Sequence, residues 1–250
     1  MSEIIRTKAL ILQAIRWQDS SKIVSFYTEE EGLVKLIVRG ALRNKSPLAG
    51  KLESLSEVSV LYYKKDTRSL QILKELDMID PHHVLRTDYR RYPFVLAMLE
   101  LIRATLEEGH GDVVFYRFLM QMISGTEQSA HPENMLIFFM LKLTSYLGFK
   151  VDFTDCFGQK HPQCLQEINT FSLNEGRRVC TDCYRLGGYL ERFDKSELIY
   201  LQNLQKSHYR RIGLSEYHHR EWKPIIGKLL RYINLQLETE ISLHSLEMML

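Results

Sequence analysis

The chain has 250 residues, 45% of them hydrophobic and 26% charged, with a formal net charge of only +2. This balance is typical of a folded globular protein, and the small net charge says little about partners, so that the distribution of charge along the chain is more informative. No run approaches the roughly 20 apolar residues of a membrane-crossing helix, and the N-terminus lacks the features of a signal peptide, so we expect no membrane partner and a cytoplasmic location.

Residues 1–80 are predicted to form a small β-domain. Its apolar, β-rich runs are short and are separated by turns and by one longer loop, Gly40–Gly50. Five strands with this spacing are typical of a closed barrel of the OB type. The predicted strands are Thr7–Ile15, Lys22–Thr28, Leu33–Val38, Val58–Tyr63 and Leu70–Leu76.

The longer loop and its flanks are rich in positive charge. From Leu33 to Lys51 there are five basic residues and no acidic one. Lysine and arginine that reach phosphates supply most of the sequence-independent affinity for nucleic acid, although a solvated loop that keeps the barrel soluble is an equal alternative. The candidate DNA-binding residues are Lys22, Lys35, Arg39, Arg43, Lys45 and Lys51.

Three aromatic residues of the predicted barrel are candidate platforms for base stacking. They are Trp17, Tyr62 and Tyr63. Tyr62 and Tyr63 are adjacent on one strand, and successive side chains of a strand point to opposite faces. Only one of these two tyrosines is therefore expected to face outward, and the other belongs to the core.

After Asp80-Pro81 the apolar period becomes helical, which predicts a helical domain over residues 81–250. Residues 150–190 have no clear period and form a small cysteine-rich insert within it. The fold class is therefore α+β, a barrel followed by helices. The C-terminal helices are also basic in places, which suits a second DNA surface, a dock for an acidic peptide, or an ordinary solvated face. The predicted helices are Phe94–Leu106, Val113–Ile123, Pro132–Leu147, Lys195–Lys206 and Ser215–Leu237.

The insert contains all four cysteines of the chain, Cys156, Cys164, Cys180 and Cys183. The last two form a C-x2-C pair, whereas seven residues separate the first two. Four thiolates on two loops can close a tetrahedral zinc site with a structural role. Two alternatives remain open: His161 replaces Cys164 as a ligand, or the cysteines are free thiols.

An enzymatic interpretation finds little support in the sequence. His131-Pro-Glu133 upstream of Cys180-Thr-Asp-Cys183 superficially copies the motif of zinc deaminases or hydrolases. Val179 stands where that motif has proline, and Pro132-Glu133 is more simply the first turn of a helix. The sequence contains no glycine-rich phosphate loop and no G-x-S-x-G motif, so we expect no catalytic activity.

The segment Val38-Arg39-Gly40 through Lys45-Ser46-Pro47-Leu48-Ala49-Gly50 resembles the RecO family of bacterial recombination mediators. The likeness begins at Lys8–Ile15 and covers most of the chain. The order of the parts is also the same: a barrel, a helical domain and a cysteine insert. One departure is that Gln159 stands where the family has its second cysteine, so that Cys164 would have to replace it.

The resemblance implies a DNA-repair function. Members of the family bind single- and double-stranded DNA, anneal complementary strands and act with RecR. Together they help RecA to displace single-strand-binding protein, and the acidic tail of that protein is the expected partner of the basic C-terminal helices. Because these partners act on DNA, the resemblance also implies a location associated with the nucleoid. The alternative is an OB-fold module that binds a protein partner and has no direct role on DNA.

Overall fold

The computed structural model describes residues 3–157, 169–180, 183–184, 188–213 and 221–247. The chain forms two compact units: Met1–Ser124 with Ser245–Leu250, and Gly125–His244. Among the described helices, none is both long and apolar enough to cross a membrane.

The first unit contains the predicted five-stranded barrel, which is confirmed. The strands close in the order β1-β2-β3-β5-β4, with β4 pairing back to β1. All pairings are antiparallel except β3 with β5, which join in parallel through Leu36–Gln71 and Ile37–Ile72. The strands are β1 (Glu3–Trp17), β2 (Ser21–Thr28), β3 (Gly32–Val38), β4 (Glu57–Lys64) and β5 (Gln71–Asp80).

Alternation along the strands fills the interior of the barrel. On β2, Val24 and Phe26 are completely buried inside, because every second side chain points to the same face. The long strand β1 pairs with two neighbouring strands: its first part pairs with β4 and its second part with β2. A register shift between Ile11 and Gln13 gives β1 the bend that this sharing requires.

Helices also belong to the compact unit of the barrel. They are α1 (His83–Thr87), α2 (Tyr92–Thr105) and most of α3 (Val113–Gln128). The ring of Tyr27 on β2 lies 5.9 Å from that of Phe115 and 6.2 Å from that of Tyr116, both on α3. The last barrel strand ends at Asp80, as expected, but the compact unit continues to Ser124, so the domain boundary at residue 80 stays a prediction.

The second unit is built around α4 (Pro132–Tyr146), whose middle part is buried on all sides. Around it lie α5 (Lys195–Lys206), α6 (Tyr209–Ile212) and α7 (Trp222–Leu237). The short helix α8 (His244–Glu247) follows α7 and, from Ser245 on, belongs to the first unit. Helix α5 has the predicted bounds because Asp194 and Glu197 form a capping box at its start. Helix α7 begins at Trp222, and residues 215–220 of the predicted helix lie outside the described part.

The cysteine-rich insert forms a small sheet that the sequence did not predict. Its strands are β6 (Asp152–Cys156), β7 (Thr170–Ser172), β8 (Arg177–Arg178) and β9 (Leu190–Arg192), in the order β6-β8-β7-β9. The rings of Phe153, Phe171 and Phe193 pack within 5.1 to 5.7 Å of one another and form its core. Strands of two to five residues are too short to reveal an alternation in the sequence.

A buried ion pair stabilises the second unit, and its loss has a predictable cost. The Lys228 ammonium lies 2.6 and 2.7 Å from the two carboxylate oxygens of Glu197, whose side chain is only 6% exposed. Replacing Lys228 with methionine leaves that carboxylate buried without its cation, so we expect a loss of about 3 kcal/mol in the free energy of unfolding. Urea unfolding monitored by circular dichroism measures this loss in the free energy of unfolding.

Arg231→Met is the matched control. Arg231 lies on α7, as Lys228 does, and forms an ion pair with Glu191 of β9. The Arg231 side chain is 56% exposed and that of Glu191 is 16% exposed, so water reaches the cation of this pair. Pairs with a solvated cation contribute about 1 kcal/mol, so the loss in this variant is expected to be smaller than that in Lys228→Met. Equal unfolding midpoints for the two variants would contradict the stabilising role of the Glu197–Lys228 pair.

Candidate nucleic-acid interface and metal centre

The predicted basic loop is a series of tight turns. After β3, the amide of Arg43 donates to the carbonyl of Gly40 at 3.1 Å, and the amide of Ser46 donates to that of Arg43 at 3.0 Å. Gly40 has φ = 70°, and a Cβ added there would stand 3.4 Å from Cδ of Arg43. A glycine thus allows both the left-handed backbone and the close approach of the arginine.

Apolar residues of the loop fix it to the barrel. Ala41 and Leu52 are buried in the barrel core, and Leu48 packs against it. The amide of Leu42 donates a 2.9 Å hydrogen bond to the carbonyl of Ser20 in the turn between β1 and β2. The loop therefore covers the end of the barrel at which β2 begins and β3 ends.

The basic side chains of the loop point away from this anchor. Arg39, Arg43 and Lys45 are exposed, and Lys51 is partly exposed. Within the described ranges, none of the four forms an ion pair with a carboxylate. Their charges are therefore available to an anionic ligand such as a phosphate backbone.

The strand register adds two basic residues to this end. Lys22 stands opposite Val38 on β3 and opposite Arg16 on β1. Arg16 was not predicted as a site residue, although the pairing of 16 with 22 follows from a hairpin that turns at residues 18–20. We refer to the six residues together as the basic end: Arg16, Lys22, Arg39, Arg43, Lys45 and Lys51.

Lys35 is not part of the basic end. It lies in the middle of β3, and its ammonium is 2.6 Å from a carboxylate oxygen of Glu108, which follows α2. Its charge is therefore already balanced within the first unit, and a phosphate contact would have to displace Glu108.

Of the two adjacent candidate stacking tyrosines, one is buried and the other is exposed, as the alternation of side chains along a strand predicts. Tyr62 is 1% exposed and belongs to the core, whereas Tyr63 is 37% exposed. Burial, together with the carboxylate of Glu31, raises the pKa of Tyr62 well above its usual value. Trp17, at the end of β1, is 42% exposed. Trp17 and Tyr63 can therefore stack on a base and Tyr62 cannot.

The basic residues of the C-terminal helices fall into two groups. Lys228 and Arg231 are engaged in ion pairs with Glu197 and Glu191. The others are exposed, and Arg220 lies outside the described residues. The exposed ones are Lys206, Arg210, Arg211 and Lys223.

Three of the four cysteines come together in the second unit. The Sγ atoms of Cys156, Cys180 and Cys183 all lie within 4.8 Å of one another. Cys156 ends β6 and Cys180 follows β8, its parallel neighbour in the sheet. The amide of Cys180 donates to Sγ of Cys156 at 3.4 Å, and that of Cys183 donates to the carbonyl of Cys180 at 3.2 Å. This last hydrogen bond holds the two ends of the C-x2-C motif together.

This cluster could hold a metal ion and is compatible with zinc. Zinc–sulfur bonds of about 2.3 Å in a tetrahedron place neighbouring sulfurs about 3.8 Å apart, so a small closure would bring the three thiolates to ligand distance. The predicted fourth ligand, Cys164, and its alternative, His161, lie outside the described residues.

The deaminase-like motif does not assemble in the described structure. His131 precedes α4, and its Nδ1 lies 3.1 Å from a carboxylate oxygen of Glu133. Among the described residues, the group that could hold a metal comprises the three cysteines and includes neither His131 nor Glu133. A local interaction at a helix start accounts for this pair.

Known proteins similar to this chain have the same order of an N-terminal and a C-terminal part. Two family models match, Recombination protein O N terminal over residues 1–82 and Recombination protein O C terminal over residues 86–247. A DNA repair protein RecO of Chlorobium phaeobacteroides is 29% identical over 154 residues, which are 61% of this chain and 59% of that protein. One of Chlorobium limicola is 26% identical over 183 residues, 69% of each chain.

Similarity also extends to the DNA repair protein RecO of Salinibacter ruber, 29% identical over 146 residues, 58% of this chain and 56% of that protein. The matched segments thus span somewhat less than two thirds of several of these relatives. The two family models, however, together match most of the sequence and meet where the barrel ends. The chain therefore belongs to the RecO family.

Proposed function

We propose that this protein acts in DNA repair and recombination as a mediator that binds DNA through the basic end of its barrel. One observation carries the proposal: basic side chains on a loop anchored in the barrel core reach solvent without carboxylate partners in the described structure. Six cations around one barrel end suit the closely spaced phosphates of DNA. Charge contacts read no bases, so both single and double strands are substrates.

Strand annealing is the activity that this surface supports best. Two complementary strands repel each other until enough phosphates are neutralised, and a surface with many free cations lowers that repulsion. Pairing is downhill, so no bond chemistry and no nucleotide hydrolysis are required. The sequence contains no glycine-rich phosphate loop, in keeping with a mediator that is not an enzyme.

The partners follow from membership of the family. We propose that the protein acts with RecR and helps to load RecA on DNA coated with single-strand-binding protein. The exposed cations of the second unit, Lys206, Arg210 and Arg211, suit a dock for the acidic tail of single-strand-binding protein. A cytoplasmic, nucleoid-associated location fits these partners.

We also propose one structural zinc ion per chain, bound by Cys156, Cys164, Cys180 and Cys183. The ion would tie the end of β6 to the two cysteines that follow β8. Four protein ligands leave no open position for water, so the ion would supply folding energy rather than chemistry.

Zinc content tests this site. Protein purified without a chelator is expected to contain about one zinc per chain by atomic absorption, and Cys180→Ser to lose it, because three thiolates hold the ion far less tightly than four. Cys164→Ser and His161→Ala identify the fourth ligand. Less than half an equivalent of zinc, with all four thiols titrating freely, would favour unliganded cysteines.

A mobility-shift assay tests DNA binding itself. Unrelated single-stranded and duplex oligonucleotides should bind alike within each class, since phosphates are the main contacts. Absence of a shift with every probe would favour the alternative, a barrel that binds a protein partner and has no direct role on DNA.

A further inference from the structure

The short pairing of β3 with β5 leaves a pocket in the first unit. Strand β3 begins at Gly32, but β5 pairs with it only at Leu36 and Ile37. The first residues of β3 instead lie beside the segment that follows α2, where the amide of Gly109 donates a 3.2 Å hydrogen bond to the carbonyl of Leu33. Between this segment and the hairpin of β4 and β5 lies a pocket of about 290 Å³, which we call the hairpin pocket.

The hairpin pocket combines buried apolar residues with a charged rim. Leu33 and Val34 line it and are both buried. Two ion pairs lie at the rim, so each lysine there is already balanced by a glutamate. Asp66 and Arg68 of the hairpin, which are exposed, complete the rim. The two ion pairs are Lys64 with Glu31, at 2.5 Å, and Lys35 with Glu108, at 2.6 Å.

One polar group of the hairpin pocket lacks a partner. Tyr62 lines the pocket, and its buried hydroxyl has no hydrogen-bond partner in the described part of the chain. Most buried polar groups of folded proteins have such a partner, so a hydroxyl without one beside a pocket indicates a position for a ligand atom. The amide of Gln71, which also lines the pocket, is not available because it bonds to the backbone of Lys65 and Arg68.

The charges around this hydroxyl are negative. Burial raises the pKa of Tyr62, and three carboxylates raise it further, those of Glu31, Glu3 and Glu30. The same surroundings favour a cation, since the hydrogen bond with Glu31 raises the pKa of Lys64. A hydroxyl can both donate and accept a hydrogen bond. In a negative field it accepts from a cation more readily than it donates to an anion.

We propose that the hairpin pocket binds a linear aliphatic diamine, one ammonium of which donates to the hydroxyl of Tyr62. The carbon chain lies against Leu33 and Val34, and the second ammonium pairs with Asp66. The carboxylate of Asp66 suits this role because it has no ion-pair partner among the described residues. The pocket lies where β3 begins and the basic end lies where β3 ends, so the amine site is separate from the proposed DNA surface.

Three small molecules of equal chain length test the charge requirement. They are cadaverine, which has two ammonium groups, the corresponding diol, and glutarate, which has two carboxylates. Isothermal titration calorimetry of the full chain without DNA, at constant ionic strength, is expected to show saturable binding of cadaverine and none of the other two. Preferred binding of glutarate would make the pocket an anion site and overturn the proposal. Binding of none of the three would mean that water satisfies the Tyr62 hydroxyl, and would overturn it as well.

Substitutions locate the amine. Tyr62→Phe removes only the hydroxyl and is expected to weaken cadaverine binding roughly tenfold, without lowering the urea midpoint of the free protein, because the lost group had no partner. Asp66→Asn is expected to weaken binding about threefold. Tyr116→Phe is the control, since it removes a similarly buried hydroxyl that bonds to Glu57 and should leave cadaverine affinity unchanged. Cadaverine affinity that is unchanged in both pocket variants, or reduced equally in Tyr116→Phe, would contradict the proposed site.

Discussion

Replacing Arg43, Lys45 and Lys51 together with alanine is expected to weaken binding of single-stranded DNA on the order of a thousandfold at about 20 mM salt. Each phosphate contact releases about 0.7 of a counterion from a single strand, so the loss of three contacts is largest where salt is most dilute. Arg43 and Lys45 are exposed and Lys51 partly so, and none of the three has a carboxylate partner in the described structure. Fluorescence anisotropy with a labelled oligonucleotide measures the affinity.

The matched control removes the same charge elsewhere. Arg68, Arg103 and Lys150 are exposed basic residues outside the basic end. Their triple alanine variant is expected to bind nearly as the unchanged protein does. Both variants should unfold at nearly the same urea concentration, since exposed charges contribute little to stability. Equal loss of affinity in the two variants would mean that total charge, rather than the basic end, attracts the DNA.

The protein is expected to speed the pairing of complementary oligonucleotides at least tenfold at low salt and without nucleotide. Favourable electrostatics raises encounter rates by roughly 10- to 1000-fold, and repulsion between strands is least screened when salt is dilute. Quenching between a donor-labelled and an acceptor-labelled strand follows the reaction, with and without protein.

Two comparisons identify the cause of the acceleration. The variant lacking Arg43, Lys45 and Lys51 should lose it at protein concentrations at which its DNA binding is still saturated. Added ATP should change nothing. DNA binding without acceleration at any salt concentration would reduce the protein to a passive binding module and contradict the mediator proposal.

The barrel could be predicted from the sequence because its strands are long enough to show their pattern. Lys22–Thr28 and Leu33–Val38 differ from the observed β2 and β3 by a single residue at one end. The small sheet around Phe153 and Phe171 could not be predicted, since its strands are very short and its core forms from residues far apart in the sequence.

The sequence indicated some residues of the candidate DNA-binding site but not all of them. Local charge and the glycines of the loop indicated Arg43 and Lys45, which are indeed exposed. The ion pair of Lys35 with Glu108 joins residues far apart in sequence, and no local pattern indicates it. Arg16 joins the basic end through strand register, which requires the hairpin turn to be placed first.

The most direct test of DNA binding by the basic end is a salt series with single-stranded DNA and the unchanged protein. When five of the six cations of the basic end contact phosphates, the logarithm of the binding constant falls with the logarithm of salt concentration with a slope of about −3.5, and loss of three of these contacts reduces the slope to about −1.4. An affinity that does not change with salt, or an equal slope for the protein lacking Arg43, Lys45 and Lys51, would contradict DNA binding by the basic end.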